Sequence, residues 1–205
     1  MDVHELPDLT ITKLSVGPMD NNAYLLRCRA TGEQVLIDAA NEPQRLLRLA
    51  GDGGLARVVT THRHFDHWQG LAAVLAATGA RAVAHPDDAA ELPAKVTEPV
   101  VDGDTVPVGT CVLEVIHLVG HTPGSIALLY RDPAGGPHLF TGDSLFPGGP
   151  GRTTNPQDFT SLMDDLETKV FGRLPDDTVV YPGHGADTTL GKERPAIPEW
   201  RARGW

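Results

Sequence analysis

The sequence predicts an α/β fold in which strands mostly follow strands. Three observations lead there. Short apolar runs recur along the 205 residues, many of them bounded by Gly and Pro clusters. Only a few stretches carry helical spacing. Strands and helices do not alternate strictly, as a purely parallel sheet would require.

The elements follow in order. Residues 10–14 alternate loosely and form a first strand. Residues 23–28 and 34–38 read as a strand pair joined through a Thr31-Gly32 turn. Residues 43–49 look helical, with Asn41 as cap and Pro43 in the first turn. Residues 57–61 are a short buried strand that runs into a histidine cluster. Residues 68–78 place Leu71, Val74 and Leu75 at helical spacing, and Gly79 ends that helix. Residues 81–84 are a strand and 87–92 a short helix. Residues 106–108, 111–119, 125–130 and 138–141 are strands. Residues 158–171 are the longest helix, with Phe159, Leu162, Met163, Leu166 and Val170 on one face. Residues 179–181 are a last strand. No repeat or low-complexity linker divides the chain, so one domain, 1–205, is expected.

Composition excludes several function classes. A net charge of −10 opposes a long nucleic-acid interface, which needs a basic footprint. The apolar run at 71–77 is too short to span a bilayer. The N-terminus lacks the basic-then-apolar pattern of a secretory signal. Cys28 and Cys111 each sit in an apolar strand context and read as buried free thiols. A reducing, cytoplasmic location fits them.

Chemistry concentrates in the run His62-Arg63-His64-Phe65-Asp66-His67. A lone histidine is usually a surface or core residue. Four candidate ligands within six residues at a strand end point instead to a metal. Alternate side chains on an extended segment share a face, so His62 and His64 can converge. Imidazole and carboxylate suit zinc, iron and manganese alike. Three further residues share this context. His121, Asp143 and His184 each follow a strand that ends in glycine, where a sharp turn can present a side chain.

HxHxDH, then Gly-His-Thr-Pro-Gly-Ser, Thr-Gly-Asp-Ser-Leu-Phe and Tyr-Pro-Gly-His-Gly, in that order, resembles the metallo-β-lactamase-fold superfamily. Within it the chain is most similar to the glyoxalase II-like (hydroxyacylglutathione hydrolase-like) hydrolases, over roughly residues 11–194. The resemblance implies a four-layer αββα sandwich of two mixed sheets flanked by helices. It implies two divalent metal ions, zinc foremost, with iron or manganese as alternatives. His62, His64 and His121 would hold the first metal, and Asp66, His67 and His184 the second. Asp143 would bridge them. Asp66 would also orient the attacking hydroxide shared by the metals. Asp38 matches the family's early supporting aspartate, or is a turn carboxylate after a strand. His4, His85, His117 and His138 are read as non-ligands.

The implied reaction is metal-dependent hydrolysis of a small thioester. A thiolate leaves without prior protonation, and no additional general acid stands out in the sequence. Family β-lactamases of the main class carry cysteine where Asp143 stands, which argues against that activity. Glyoxalase II proper has a further helical C-terminal domain and a tyrosine where Ala186 stands, so its thiol recognition does not transfer. Arg152, Lys192 and Arg194 are candidates for holding a substrate carboxylate, with exposed surface charge as the alternative. A mononuclear iron persulfide dioxygenase of the same fold, using His62, His121 and Asp143, is the competing reading. A lactonase is a third.

Overall fold

The computed structural model describes residues 1–204. Seven strands form the first sheet, in sequence order: β1 (Asp2–Glu5), β2 (Leu9–Val16), β3 (Asn21–Cys28), β4 (Gln34–Ile37), β5 (Arg57–Val59), β6 (Arg81–Ala84) and β7 (Glu98–Pro99). Pairing is antiparallel from β1 to β4 and parallel from β4 to β7. The second sheet holds β8 (Thr105–Val108), β9 (Cys111–His117), β10 (Ile126–Arg131), β11 (Pro137–Gly142), β14 (Val179–Pro182) and β15 (Thr188–Thr189). A two-stranded ribbon, β12 (Leu145–Phe146) with β13 (Gly149–Pro150), lies between β11 and β14 in sequence.

Apolar side chains separate these sheets and the helices into four layers. Leu26, Val35, Ile37 and Val59 of the first sheet meet Leu113, Val115, Leu128 and Phe140 of the second. Behind the first sheet, Leu36 and Val58 pack on Leu46 of α1 (Pro43–Ala50) and Leu71 and Val74 of α2 (Leu71–Thr78). A short α3 (Pro86–Ala89) follows β6. Behind the second sheet, Ala127, Leu129 and Val180 pack on Leu162 and Met163 of α4 (Pro156–Asp165). α5 (Leu190–Glu193) and α6 (Ile197–Arg203) close the chain, and Trp200 of α6 is buried in the same layer. This is the expected αββα order, and Cys28 and Cys111 are buried free thiols as expected.

Several local expectations are corrected. Asn41 does not cap α1: Glu42 holds that position in a left-handed conformation, and Asn41 Oδ1 accepts from the Glu42 N–H at 2.7 Å. α2 begins at Leu71 rather than 68, because residues 65–67 are wound into a tight turn that sets the site. α3 starts one residue earlier than expected and ends at Ala89. The helix expected over 158–171 starts at Pro156, capped by Asn155, and relaxes into π turns over Leu166–Phe171. Its apolar face is continuous, with Leu162, Leu166 and Val170 all buried.

The topology gathers the candidate ligands. β4 and β5 are parallel, as are β11 and β14, so each pair ends on one side. β3 runs antiparallel to β4 and therefore begins where β4 ends. The loops after β4, β5, β9, β11 and β14 then meet at one edge of the sandwich, where the backbones of Asn21 and His184 bridge the two sheets.

Candidate metal centre

The seven expected ligands converge. Asp143 Oδ1 lies 3.3 Å from His67 Nε2, while its Oδ2 lies 3.4 Å from His184 Nε2, 3.6 Å from His121 Nε2 and 4.0 Å from His62 Nε2. Asp66 Oδ2 lies 3.2 Å from His184 Nε2 and 3.6 Å from His67 Nε2. His64 Nδ1 faces His121 Nε2 at 2.9 Å. The groups His62-His64-His121 and Asp66-His67-His184 each bring three ligand atoms within 4.8 Å of one another.

Hydrogen bonds on the outer ring nitrogens decide which way the lone pairs face. His67 Nδ1 donates to Asp38 Oδ2 at 2.8 Å, His121 Nδ1 to the Arg152 carbonyl at 2.7 Å, and His184 Nδ1 to the Met19 carbonyl at 2.8 Å. These oxygens only accept, so each Nδ1 carries a proton and each Nε2 faces inward, the nitrogen left for a metal. His62 reaches the same state through a relay: its Nδ1 lies 3.0 Å from Thr61 Oγ1, which donates to Asp38 Oδ2 at 2.8 Å. His62 Nε2 and Asp143 Oδ1 are buried without a hydrogen-bond partner. Buried polar atoms left in that state are costly unless something fills the space between them. The donor set and its tautomers fit divalent cations.

Two glycines permit the approach. A Cβ on Gly183 would stand 2.2 Å from Asp143 Oδ1 and 2.6 Å from His67 Cε1. A Cβ on Gly120, at φ +149°, would stand 2.3 Å from the Asp158 carbonyl, so the His121 loop packs on α4 through bare backbone.

Electrostatics follow from the carboxylates. Burial opposes charge on His67, but Asp38 and Asp143 outweigh it and raise its pKa to about 10. Burial likewise opposes charge on His184, and Asp143 and Asp66 raise it to about 10. His62 is held well below its usual value by burial and then by neighbouring His67. Burial penalises the Asp66 carboxylate, yet hydrogen bonds from His184 and Asn21 keep its pKa low.

Sequence reasoning missed part of this. Asn21 donates to Asp66 Oδ2 at 2.9 Å, and Asn22 donates to the Pro182 and Gly185 carbonyls, tying the His184 loop to the first sheet. Two adjacent amides opening an apolar strand were the available signal. The carbonyls of Met19 and Arg152 carry no residue-type signal at all. Asp38 stands where the resemblance put it, with φ 58° and both oxygens engaged.

The three candidate substrate cations separate. Arg152 is exposed beside the centre, on a cavity of about 270 Å³ shared with Phe146 and Gly151. The Phe146 ring stands 6.3 Å from that of His184. Lys192 is exposed on α5. Arg194 is committed elsewhere: its guanidinium bonds Asp176 and the Phe171 and Leu174 carbonyls, and lies over the Phe171 ring. A larger cavity of about 550 Å³, lined by Asp8, Cys111 and Tyr130, includes none of the candidate ligands.

Residues 16–184 match the model of the metallo-beta-lactamase superfamily, and the chain belongs to that family. A hydroxyacylglutathione hydrolase from Polaromonas sp. is 40% identical over 166 residues, covering 80% of this chain and 62% of the relative. The crystal structure of ETHE1 from Myxococcus xanthus superposes with a TM-score of 0.80 at 33% identity, covering 92% of this chain and 83% of the other. A protein described as TTHA1623 in a di-iron-bound form superposes at 0.74 with 33% identity, covering 89% and 96%. The chain spans 62% to 66% of the length of the first hydroxyacylglutathione hydrolases it matches.

Proposed function

We propose that this chain is a metal-dependent hydrolase of small thioesters, with His62, His64, His121, Asp66, His67 and His184 as ligands and Asp143 shared between two sites. The observation that carries the reading is Asp143, whose two oxygens face histidines of both triads. A divalent pair, zinc foremost, supplies Lewis-acid polarisation of a carbonyl and a nucleophilic water at neutral pH.

The residues divide the remaining work. Asp38 and the Met19 and Arg152 carbonyls hold imidazoles in one tautomer, so no ligand has to reorient during turnover. Asn21 fixes the Asp66 carboxylate. Asp66 stays ionised at working pH and can accept a proton but not supply one. A thiolate needs no such supply, because its conjugate thiol has a pKa of about 8.5. Arg152, exposed beside the centre, is the cation we assign to a substrate carboxylate, since the Arg194 guanidinium is engaged by Asp176 and two carbonyls. Among the described residues no helix is long and apolar enough to cross a membrane. Two free thiols favour a reducing, cytoplasmic setting.

The test is turnover of S-lactoylglutathione and a panel of other thioesters by metal-loaded protein. Cleavage of a thioester is expected; a panel with no turnover would refute the reading. A mononuclear iron dioxygenase of this fold would need only His62, His121 and Asp143. Two metals per chain with thioester turnover would support the hydrolase, whereas one iron per chain with oxygen uptake would support the dioxygenase.

A further inference from the structure

A second group of metal-capable side chains lies outside this centre. His85, at the end of β6, and His117, at the end of β9, stack with ring centroids 4.0 Å apart and planes inclined by 24°. Asp87, on the first turn of α3, places Oδ2 3.7 Å from His85 Nδ1. One ligand atom from each of the three lies within 4.8 Å of the others.

Hydrogen bonding fixes what these rings present. His117 Nε2 stands 2.8 Å from the Pro123 carbonyl, which can only accept, so Nε2 carries the proton and Nδ1 holds a lone pair. His85 Nδ1 accepts a long 3.2 Å bond from the Asp87 N–H, so it too holds a lone pair. Two imidazole lone pairs and a carboxylate therefore gather with one weak backbone donor between them.

We propose that His85, Asp87 and His117 form a separate binding site for a borderline transition-metal cation such as zinc(II), its coordination completed by water. Two imidazoles and one carboxylate are the donor set such ions accept. A tetrahedral zinc at about 2.0–2.1 Å from its ligands spaces them about 3.4 Å apart. Binding draws together atoms that now lie within 4.8 Å of one another and opens the His85–His117 stack, and Asp87, 59% exposed, is free to move. The His117–Pro123 bond is the outer contact that ligating histidines ordinarily make. This reverses the sequence reading of both histidines as non-ligands.

The position gives the site a consequence. Asp88 accepts from the Arg63 and Gly124 N–H groups and the Thr122 hydroxyl, joining the loops that carry His64 and His121. A cation on the adjacent Asp87 braces that junction from outside without touching a ligand of the main centre.

The experiment compares wild type with Asp87→Ala and His85→Phe after equilibrium dialysis against micromolar free zinc(II), counting bound zinc by atomic emission. Wild type is expected to hold one zinc per chain more than either variant, whatever the main centre binds. In wild type labelled with 15N-histidine, the ring nitrogens of His85 and His117 are expected to shift as that last equivalent binds. This second readout needs no variant to fold. Equal zinc content in wild type and Asp87→Ala, or ring nitrogens of His85 and His117 unmoved at saturation, overturns the proposal.

Discussion

Asp38→Asn isolates how the protein sets histidine tautomers. The position has φ 58°, a left-handed conformation that asparagine tolerates well, so the backbone is not the variable. Asp38 accepts three hydrogen bonds: Thr61 N–H on Oδ1, and Thr61 Oγ1 and His67 Nδ1 on Oδ2, each at 2.8 Å. If the asparagine oxygen keeps the Thr61 N–H, its NH2 group faces His67 Nδ1. His67 must then accept there and move its proton to Nε2, the nitrogen aimed at Asp143. If the amide flips, the NH2 group instead meets the Thr61 N–H, and that buried donor is left unpaired at about 1–3 kcal/mol. Loss of an outer partner of this kind costs about 10–100-fold in metal affinity. That is about 1.4–2.8 kcal/mol. Chelator competition on the purified variant reads it directly, with His62→Asn as a comparison that removes a ligand itself. Wild-type affinity for every metal equivalent in Asp38→Asn would refute the tautomer argument.

Other expectations follow from the same geometry. His67 and His184 hold protons up to about pH 10 in the metal-free chain, so loading at pH 8 should release about two protons, read by calorimetry in buffers of different ionisation enthalpy. These raised values stabilise the metal-free fold below about pH 6.5 and lose that contribution towards pH 10, so its Tm should fall over that interval. Gly183→Ala should fold yet bind metal poorly, because its Cβ needs the space of Asp143 Oδ1 and His67 Cε1; full metal content would refute that steric reasoning. Leu162→Ala should do the opposite, costing about 2–5 kcal/mol in denaturant unfolding while leaving metal content intact.

The fold class and the seven convergent candidate ligands were legible because each sits on or beside a recognisable strand end, and His121, Asp143 and His184 each directly follow a glycine. The contacts that hold them were less so. Asp38 was reached only through resemblance, and Asn21 was missed, because a strand-end carboxylate or amide has many ordinary uses. The Met19 and Arg152 carbonyls left no trace, since any residue offers a backbone oxygen. Arg152 and Arg194 read alike as exposed cations; only folding shows that Asp176 and two carbonyls engage one of them. Elements at the margins were lost for a related reason. β1, β15 and α6 are short and take their stability from the sheet or core they dock on, not from their own periodicity.

Whether two metals, joined by Asp143, act together on a thioester is read by titrating metal into stripped protein while following S-lactoylglutathione cleavage and metal content on the same samples. Turnover should peak at two metals per chain and collapse in Asp143→Asn. Maximal activity with a single bound iron, accompanied by oxygen consumption and no thioester cleavage, would contradict it.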